Sequence, residues 1–127
     1  AYDQFGEELM KILVLDDDKI LAMILSDHLT ERGHRVVPVY DGNLGSIFCQ
    51  QKYFDVVVTD LILPEGNGLD VLERLRQKNR TSRAIIITGF PELLAEESAR
   101  LERLDVEAVI EKPFSFSQVD AAVERSQ

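Results

Sequence analysis

The sequence predicts an α/β fold: a doubly wound, five-stranded parallel sheet with helices on both faces. Two observations carry this. Short, continuously apolar runs, such as KILVL at residues 11–15 and AIIIT at 84–88, read as strands buried on both sides. Longer stretches with apolar residues at helical spacing separate such runs, and the two kinds alternate five times.

Taken in order, residues 11–15 form the first strand. Residues 19–32 form the first helix, with Leu21, Ile24, Leu25 and Leu29 facing inward and Gly33 ending it. Residues 35–40 form a second strand, and Pro38 assigns it to a sheet edge. A short helix over 43–52 turns Leu44, Ile47 and Phe48 inward. FDVVVT at 54–59 is the third strand. The loop LILPEGNG leads from it to a helix over 67–79, with Leu69, Leu72 and Leu75 near one face. After the fourth strand at 84–88, Pro91 suits a first helical turn, and the fourth helix runs from it to Leu104. Residues 106–110 are the fifth strand and 116–125 the last helix. Residues 10–127 thus make one domain. Residues 1–9 are a linker from an upstream domain, an extra helix, or a leader foreign to a native start at Met10.

Composition narrows the function. A single cysteine, Cys49, allows no internal disulfide and fits a reducing cytoplasm. Its position on a short helix, with nothing basic beside it, suits packing or the surface better than thiol chemistry. The 23 acidic residues outnumber 14 basic ones, for a net charge of −9. Such a chain repels phosphate backbones, so direct nucleic-acid binding is not expected. Metal ions and basic protein surfaces remain suitable partners. The apolar runs are too short to span a membrane, and the acidic start AYDQFGEEL is no signal peptide.

Function lies at the carboxyl ends of the strands, where sheets of this kind bind ligands. The first strand ends in Asp16, Asp17 and Asp18; the third in Thr59 and Asp60; the fourth in Thr88 and Gly89; the fifth in Glu111, Lys112 and Pro113. Two like charges 4 Å apart repel by about 4 kcal/mol at an effective dielectric of about 20. Grouped acids therefore need a positive partner or must point apart into water. A hard cation such as Mg²⁺ prefers carboxylate, carbonyl and water oxygens, and acids from two adjacent strands with one backbone carbonyl supply them. Asp60, alone on its strand end, can serve as a carboxylate nucleophile toward phosphorus. Thr88 and Lys112 can bind the remaining phosphoryl oxygens.

The acid pair in LVLDDD, the acceptor in VVVTDLILPEGNG, the Thr-Gly in IIITGF and the Lys-Pro-Phe in IEKPFS occur in this order, each at its own strand end. With them the chain, over residues 10–125, resembles the receiver domain of bacterial two-component response regulators. The resemblance implies a flavodoxin-like fold with strand order 2-1-3-4-5. It implies that Asp60 takes a phosphoryl group from a phosphohistidine of a sensor kinase or phosphotransfer protein. Asp16, Asp17, Asp60 and the backbone carbonyl of Ile62 would hold Mg²⁺, with Asp17 a more direct ligand than Asp16. Thr88 would bond the phosphoryl group and move toward it, and Lys112 would pair with it. The Lys112–Pro113 bond would be cis. The fourth helix, fifth strand and fifth helix would present the signal to a downstream protein. The chain would be a signalling switch that catalyses its own phosphorylation and slow dephosphorylation, not an enzyme with a released product.

Each residue also has a plainer reading. Asp60 could cap a turn, Thr88 could end a strand, and Lys112 could be an exposed lysine before a turn. Asp18 is assigned to capping the first helix, not to metal. Pro64, Gly66 and Gly68 are turn formers. His28 reads as a partly buried structural histidine, His34 as solvated, and the run EESARLER as a wet helix face with a Glu96–Arg100 pair or a docking surface.

Three features depart from the family pattern. Val109 occupies a position, three before Lys112, that is often a rotating aromatic; valine cannot swing, so readout is weaker or leaves through the loop at Phe90. Ile62 and Phe90, each two residues after a site residue, are apolar where polar side chains speed loss of the phosphoryl group, which predicts a long-lived acyl phosphate. The glycine common before the fifth strand is replaced near Asp105. A pseudo-receiver, acting as a constitutive protein-binding module, is the alternative that Val109 favours. A phosphatase or phosphotransferase with an Asp nucleophile fits less well, because Ile62 occupies the place of its second acid and the length leaves no cap. Only 15 residues follow Lys112, too few for an output domain within this sequence. A stand-alone regulator and a receiver excised from a larger protein both fit, and oligomeric state is open.

Overall fold

A computed structural model describes residues 2, 6 and 8–124. Five strands, β1 (Lys11–Leu15), β2 (Arg35–Val39), β3 (Val56–Asp60), β4 (Arg83–Thr88) and β5 (Val106–Glu111), form one sheet. Their order is β2-β1-β3-β4-β5 and every pairing is parallel, as the resemblance implied. Five helices, α1 (Lys19–Glu31), α2 (Gly42–Gln51), α3 (Gly68–Lys78), α4 (Ser98–Arg103) and α5 (Phe116–Val123), cover it. Alternate residues of β1 to β4 feed two separate cores. Ile12, Val14, Val56 and Val58 pack with Leu25 and Leu29 of α1 and Val119 and Val123 of α5. Leu13, Leu15 and Val57 pack with Cys49 of α2 and Leu69, Leu72 and Leu75 of α3 on the other face. Residues 125–127, including the expected end of the last helix, lie outside the described residues. Of the leader, Tyr2 and Glu8 form an antiparallel bridge.

Helix starts follow the expected chemistry. Asp18, Asp41 and Asn67 cap α1, α2 and α3 by accepting backbone N–H bonds, and Ser115 makes a reciprocal capping box with Gln118. Gly33, at φ +99, closes α1 in the left-handed region.

Several expectations are corrected. The inward face of α2 is Gly42, Gly45 and Cys49, while Leu44 and Ile47 are exposed and Phe48 is partly buried. Glycine sets this register: a Cβ on Gly45 would stand 2.6 Å from the Leu15 side chain. Ile24 likewise faces out, because α1 buries Ala22, Leu25, Ser26 and Leu29. The single helix expected from Pro91 to Leu104 is two pieces, a 3-10 turn at Pro91–Leu94 and the short α4. Glu92 and Glu96 would repel at i,i+4 in a continuous helix. Arg100, expected to pair with Glu96, is instead bonded to Asp70 and Glu73 of α3, at 3.0 and 3.2 Å. His34 is buried, not solvated: its Nδ1 accepts the Met10 N–H and its Nε2 meets Glu124 at 2.8 Å. His28 is part-buried as expected, bonded to Asp120 and stacked on Phe116 with ring centroids 4.0 Å apart.

Candidate functional site

The carboxyl ends of β1, β3 and β5 bring four expected residues together. Asp16 and Asp60 are buried and Asp17 is exposed, and each offers a carboxylate oxygen within 4.8 Å of the others. The Lys112 ammonium lies between two of these acids, donating to Asp16 Oδ2 and Asp60 Oδ2 at 2.8 Å each. That cation offsets the repulsion that grouped carboxylates otherwise suffer. The Asp18 N–H donates to Asp16 Oδ1 at 2.9 Å, so the residue that caps α1 also orients Asp16. The Lys112–Pro113 bond is cis, as the resemblance implied.

Burial dominates Asp16 and raises its pKa above the ordinary carboxylate value; bonds from Lys112 and the Asp18 amide oppose that, and the charge of Asp60 adds to it. Lys112 is held above the ordinary lysine value, because its bonds to Asp16 and Asp60 outweigh the burial that disfavours its charge.

Thr88 is fully buried at the end of β4, one residue beyond the Ile87 that pairs with Asp60. Its hydroxyl oxygen accepts the Phe90 N–H at 3.0 Å, and its carbonyl accepts the Lys112 N–H at 2.8 Å. Ile62 lies in the loop after Asp60 and forms an antiparallel bridge with Asn67. The bridge is closed from a flanking residue, by Gly68 N–H donating to the Leu61 carbonyl at 2.7 Å. In such a pair the bridged residue's own carbonyl turns away from its partner. Ile62 thus aims its carbonyl out of the hairpin, while its side chain is 46 % exposed.

Sequence reasoning missed two residues at this site, and a third, Arg76, at the opposite end of the sheet. Thr59, read only as part of a strand end, is fully buried and donates to the carbonyl of Asp60 at 2.9 Å. Gly68, read as a turn former, touches the same carbonyl: a Cβ there would overlap the Asp60 oxygen. Arg76 is buried, with its guanidinium on the carbonyls of Leu104 (2.8 Å), Ser82 (2.6 Å), Asn79 (3.2 Å) and Asp105 (3.4 Å). A polar residue inside an apolar strand was the available signal for Thr59. For Arg76 the sequence gives little signal, because its partners lie on two turns, the connection after α3 and the turn before β5.

Chemically, three carboxylate oxygens around a shared point suit a hard divalent cation, and Asp60, a buried carboxylate among them, suits attack on phosphorus. Comparison with known proteins agrees with this class. Residues 12–124 match the response regulator receiver domain. The response regulator ArlR of Staphylococcus aureus (strain Mu50 / ATCC 700699) is 32% identical over 117 residues, covering 91% of this chain and 51% of that protein. Among solved structures, the non-phosphorylated HemR receiver domain from Leptospira biflexa superposes with a TM-score of 0.80 at 30% identity, covering 91% of each chain. A CheY-like receiver domain protein from Methanospirillum hungatei JF-1 gives a TM-score of 0.83 at 23% identity, again over 91% of each, and so shares the fold.

The chain belongs to the response regulator receiver domain family. It is therefore a receiver of two-component signalling, and it spans about half the length of the curated relatives it matches. Among the described residues, no helix is long and apolar enough to cross a membrane.

Proposed function

We propose that this domain accepts a phosphoryl group on Asp60 from the phosphohistidine of a sensor kinase or phosphotransfer protein. The N–P bond of the donor breaks as a bond from an Asp60 carboxylate oxygen to phosphorus forms, leaving an acyl phosphate and, after the departing ring nitrogen takes a proton from solvent, a neutral imidazole. The observation that carries this reading is the Lys112 ammonium bridging Asp16 and Asp60 beside a third carboxylate. Asp16, Asp17, Asp60 and the Ile62 carbonyl would hold Mg²⁺, which supplies positive charge for the phosphoryl oxygens. Lys112 leaves one partner, Asp60, once that carboxylate is phosphorylated, and turns its proton donors to the phosphoryl oxygens. The Thr88 hydroxyl keeps a donor for the same oxygens, since in this structure its oxygen is used as an acceptor. The reaction is self-catalysed and the product stays attached, in a domain working in the cytoplasm over residues 10–127. The signal would reach a downstream protein through α4, β5 and α5.

A second reading follows from Val109, which is 41 % exposed and has no ring to turn inward. In it the domain binds its partner constitutively, without phosphorylation. Intact mass after incubation with acetyl phosphate and Mg²⁺ separates the two. A gain of one phosphoryl group, lost with EDTA and in Asp60→Ala, supports the switch. Mg²⁺ binding without any gain supports the pseudo-receiver.

A further inference from the structure

The third strand alternates between the two cores, so Thr59 points with Val57 toward the α2–α3 side, away from the acids. The core on that side is built from apolar side chains, and valine would fill nearly the same volume as threonine. A fully buried hydroxyl needs a partner to offset its desolvation, and Thr59 finds it on the carbonyl of the next residue, Asp60. That carbonyl is confined from a second side by the Cα of Gly68, where a Cβ would also come within 3.2 Å of the Thr59 methyl. One residue on, the Leu61 carbonyl takes the Gly68 N–H. Two successive carbonyls are thus pinned between the nucleophile Asp60 and Ile62.

We propose that Thr59 is a positioning residue for the phosphoryl-accepting site, its hydroxyl fixing the Asp60–Leu61 peptide, the first of the two peptides that lead from Asp60 to Ile62. The inference rests on the reading of Asp60 and Ile62 given above. With the hydroxyl in place, the peptide after Asp60 cannot rotate without breaking a buried bond. Both the carboxylate before that peptide and the carbonyl beyond it then keep one aim. Thr59 touches neither metal nor phosphoryl group; it acts through Asp60.

Three substitutions at one position test this. Thr59→Val removes the hydroxyl and keeps the shape, Thr59→Ser keeps the hydroxyl and loses the methyl, and Thr59→Ala loses both. Mg²⁺ affinity by titration calorimetry and the rate of mass gain with acetyl phosphate are measured well below each variant's Tm. Thr59→Val is expected to weaken Mg²⁺ binding about tenfold and slow phosphorylation in proportion, with Thr59→Ser within about twofold of the natural chain. The Asp60 carbonyl carbon should shift in the NMR spectrum of the metal-free Val variant and not in the Ser variant. Should Thr59→Val not fold, the same contrast is read between Ser and Ala. Equal Mg²⁺ affinity with and without the hydroxyl overturns the proposal, as does a Ser variant as impaired as the Val or Ala one. A natural chain that neither binds Mg²⁺ nor gains mass overturns the underlying reading, and this inference with it.

Discussion

Asp60 stands on a strand whose five residues are all buried, whereas α4 has six residues and none of them is buried. The acids are mounted on β1 and β3, which pair side by side through the middle of the sheet. The segment between β4 and β5 is held by other means. Leu94 and Leu104 bracket α4 and reach the core, and Arg100 and Arg103 clasp Asp70 and Glu73 of α3 from the surface. At its carboxyl end the Arg76 guanidinium takes the carbonyls of Leu104 and Asp105. The acids thus sit where motion is costly, and the segment beside them is anchored at its two ends and held ionically in between. A rigid site and a weakly fastened neighbour are what a two-position switch requires.

The contrast can be broken most strongly at Arg76. Arg76→Ala leaves carbonyls on two turns without their donor and should cost about 3 kcal/mol in urea unfolding. A loss under about 1 kcal/mol would mean that water replaces the guanidinium and that α4 is not anchored there.

The next effect concerns the rim of the acid site. Ile62 and Phe90 are 46 % and 53 % exposed and offer no polar group to orient a water toward phosphorus. The acyl phosphate should therefore be long-lived without a phosphatase. Ile62→Asn combined with Phe90→Glu should shorten its half-life about tenfold, followed by mass after removal of donor. A half-life of seconds in the natural chain contradicts this.

A smaller effect is expected from pH. Burial raises the Asp16 pKa above its ordinary 3.8, so folding favours the protonated form. The sign follows: the penalty for ionising Asp16 is absent below the ordinary value and grows as pH rises through the folded one. Mg²⁺ held by Asp16, as proposed, would compete with that proton, so its affinity should fall severalfold as pH drops from about 7 toward about 4. Titrations of Asp16→Asn should lose that part of the slope. Unchanged slopes would place the proton elsewhere in the cluster.

The weakest point of the contrast is the ionic hold on α4. The Arg103 bond to Glu73, with help from Arg100, lowers the Glu73 pKa below its ordinary 4.5. Its contribution is present above that value and lost as pH falls through the folded one. Glu73→Gln should lower Tm by only about 2 °C, and added salt should erase the difference. A drop several times larger would show α4 bound as firmly as the acid site.

How much of this could be read from the sequence follows the same division. The acid site was legible because each strand end carries its own short motif, and Asp16, Asp17, Asp60 and Lys112 meet as the order of strands requires. The fold class was legible because buried parallel strands are continuous apolar runs. Orientation on helices was less so. In α2 the decisive residue is Gly45, which carries no hydrophobic signal, and its close approach to Leu15 turns Leu44 and Ile47 outward. The break before α4 was hidden because Ser98–Arg103 consists of good helix formers, and the acids that draw Arg100 away lie on α3. His34 was misjudged for the same reason: its partners, Met10 and Glu124, are joined to it only by the finished fold.

Pro38 marks β2 as a margin of the sheet, and its placement bears on self-association. Arg35 N–H bonds to Met10, and the Val39 carbonyl accepts from Asp16, so the odd-numbered residues of β2 face β1. The outward positions are Val36 and Pro38. Proline there sacrifices no bond to β1, and it removes a donor from the free margin. A second molecule approaching this side to extend the sheet would meet one strand N–H, at Val36, and then a ring. Templated polymerisation through β2 is thereby starved of hydrogen bonds, at a position where the change costs the native sheet nothing.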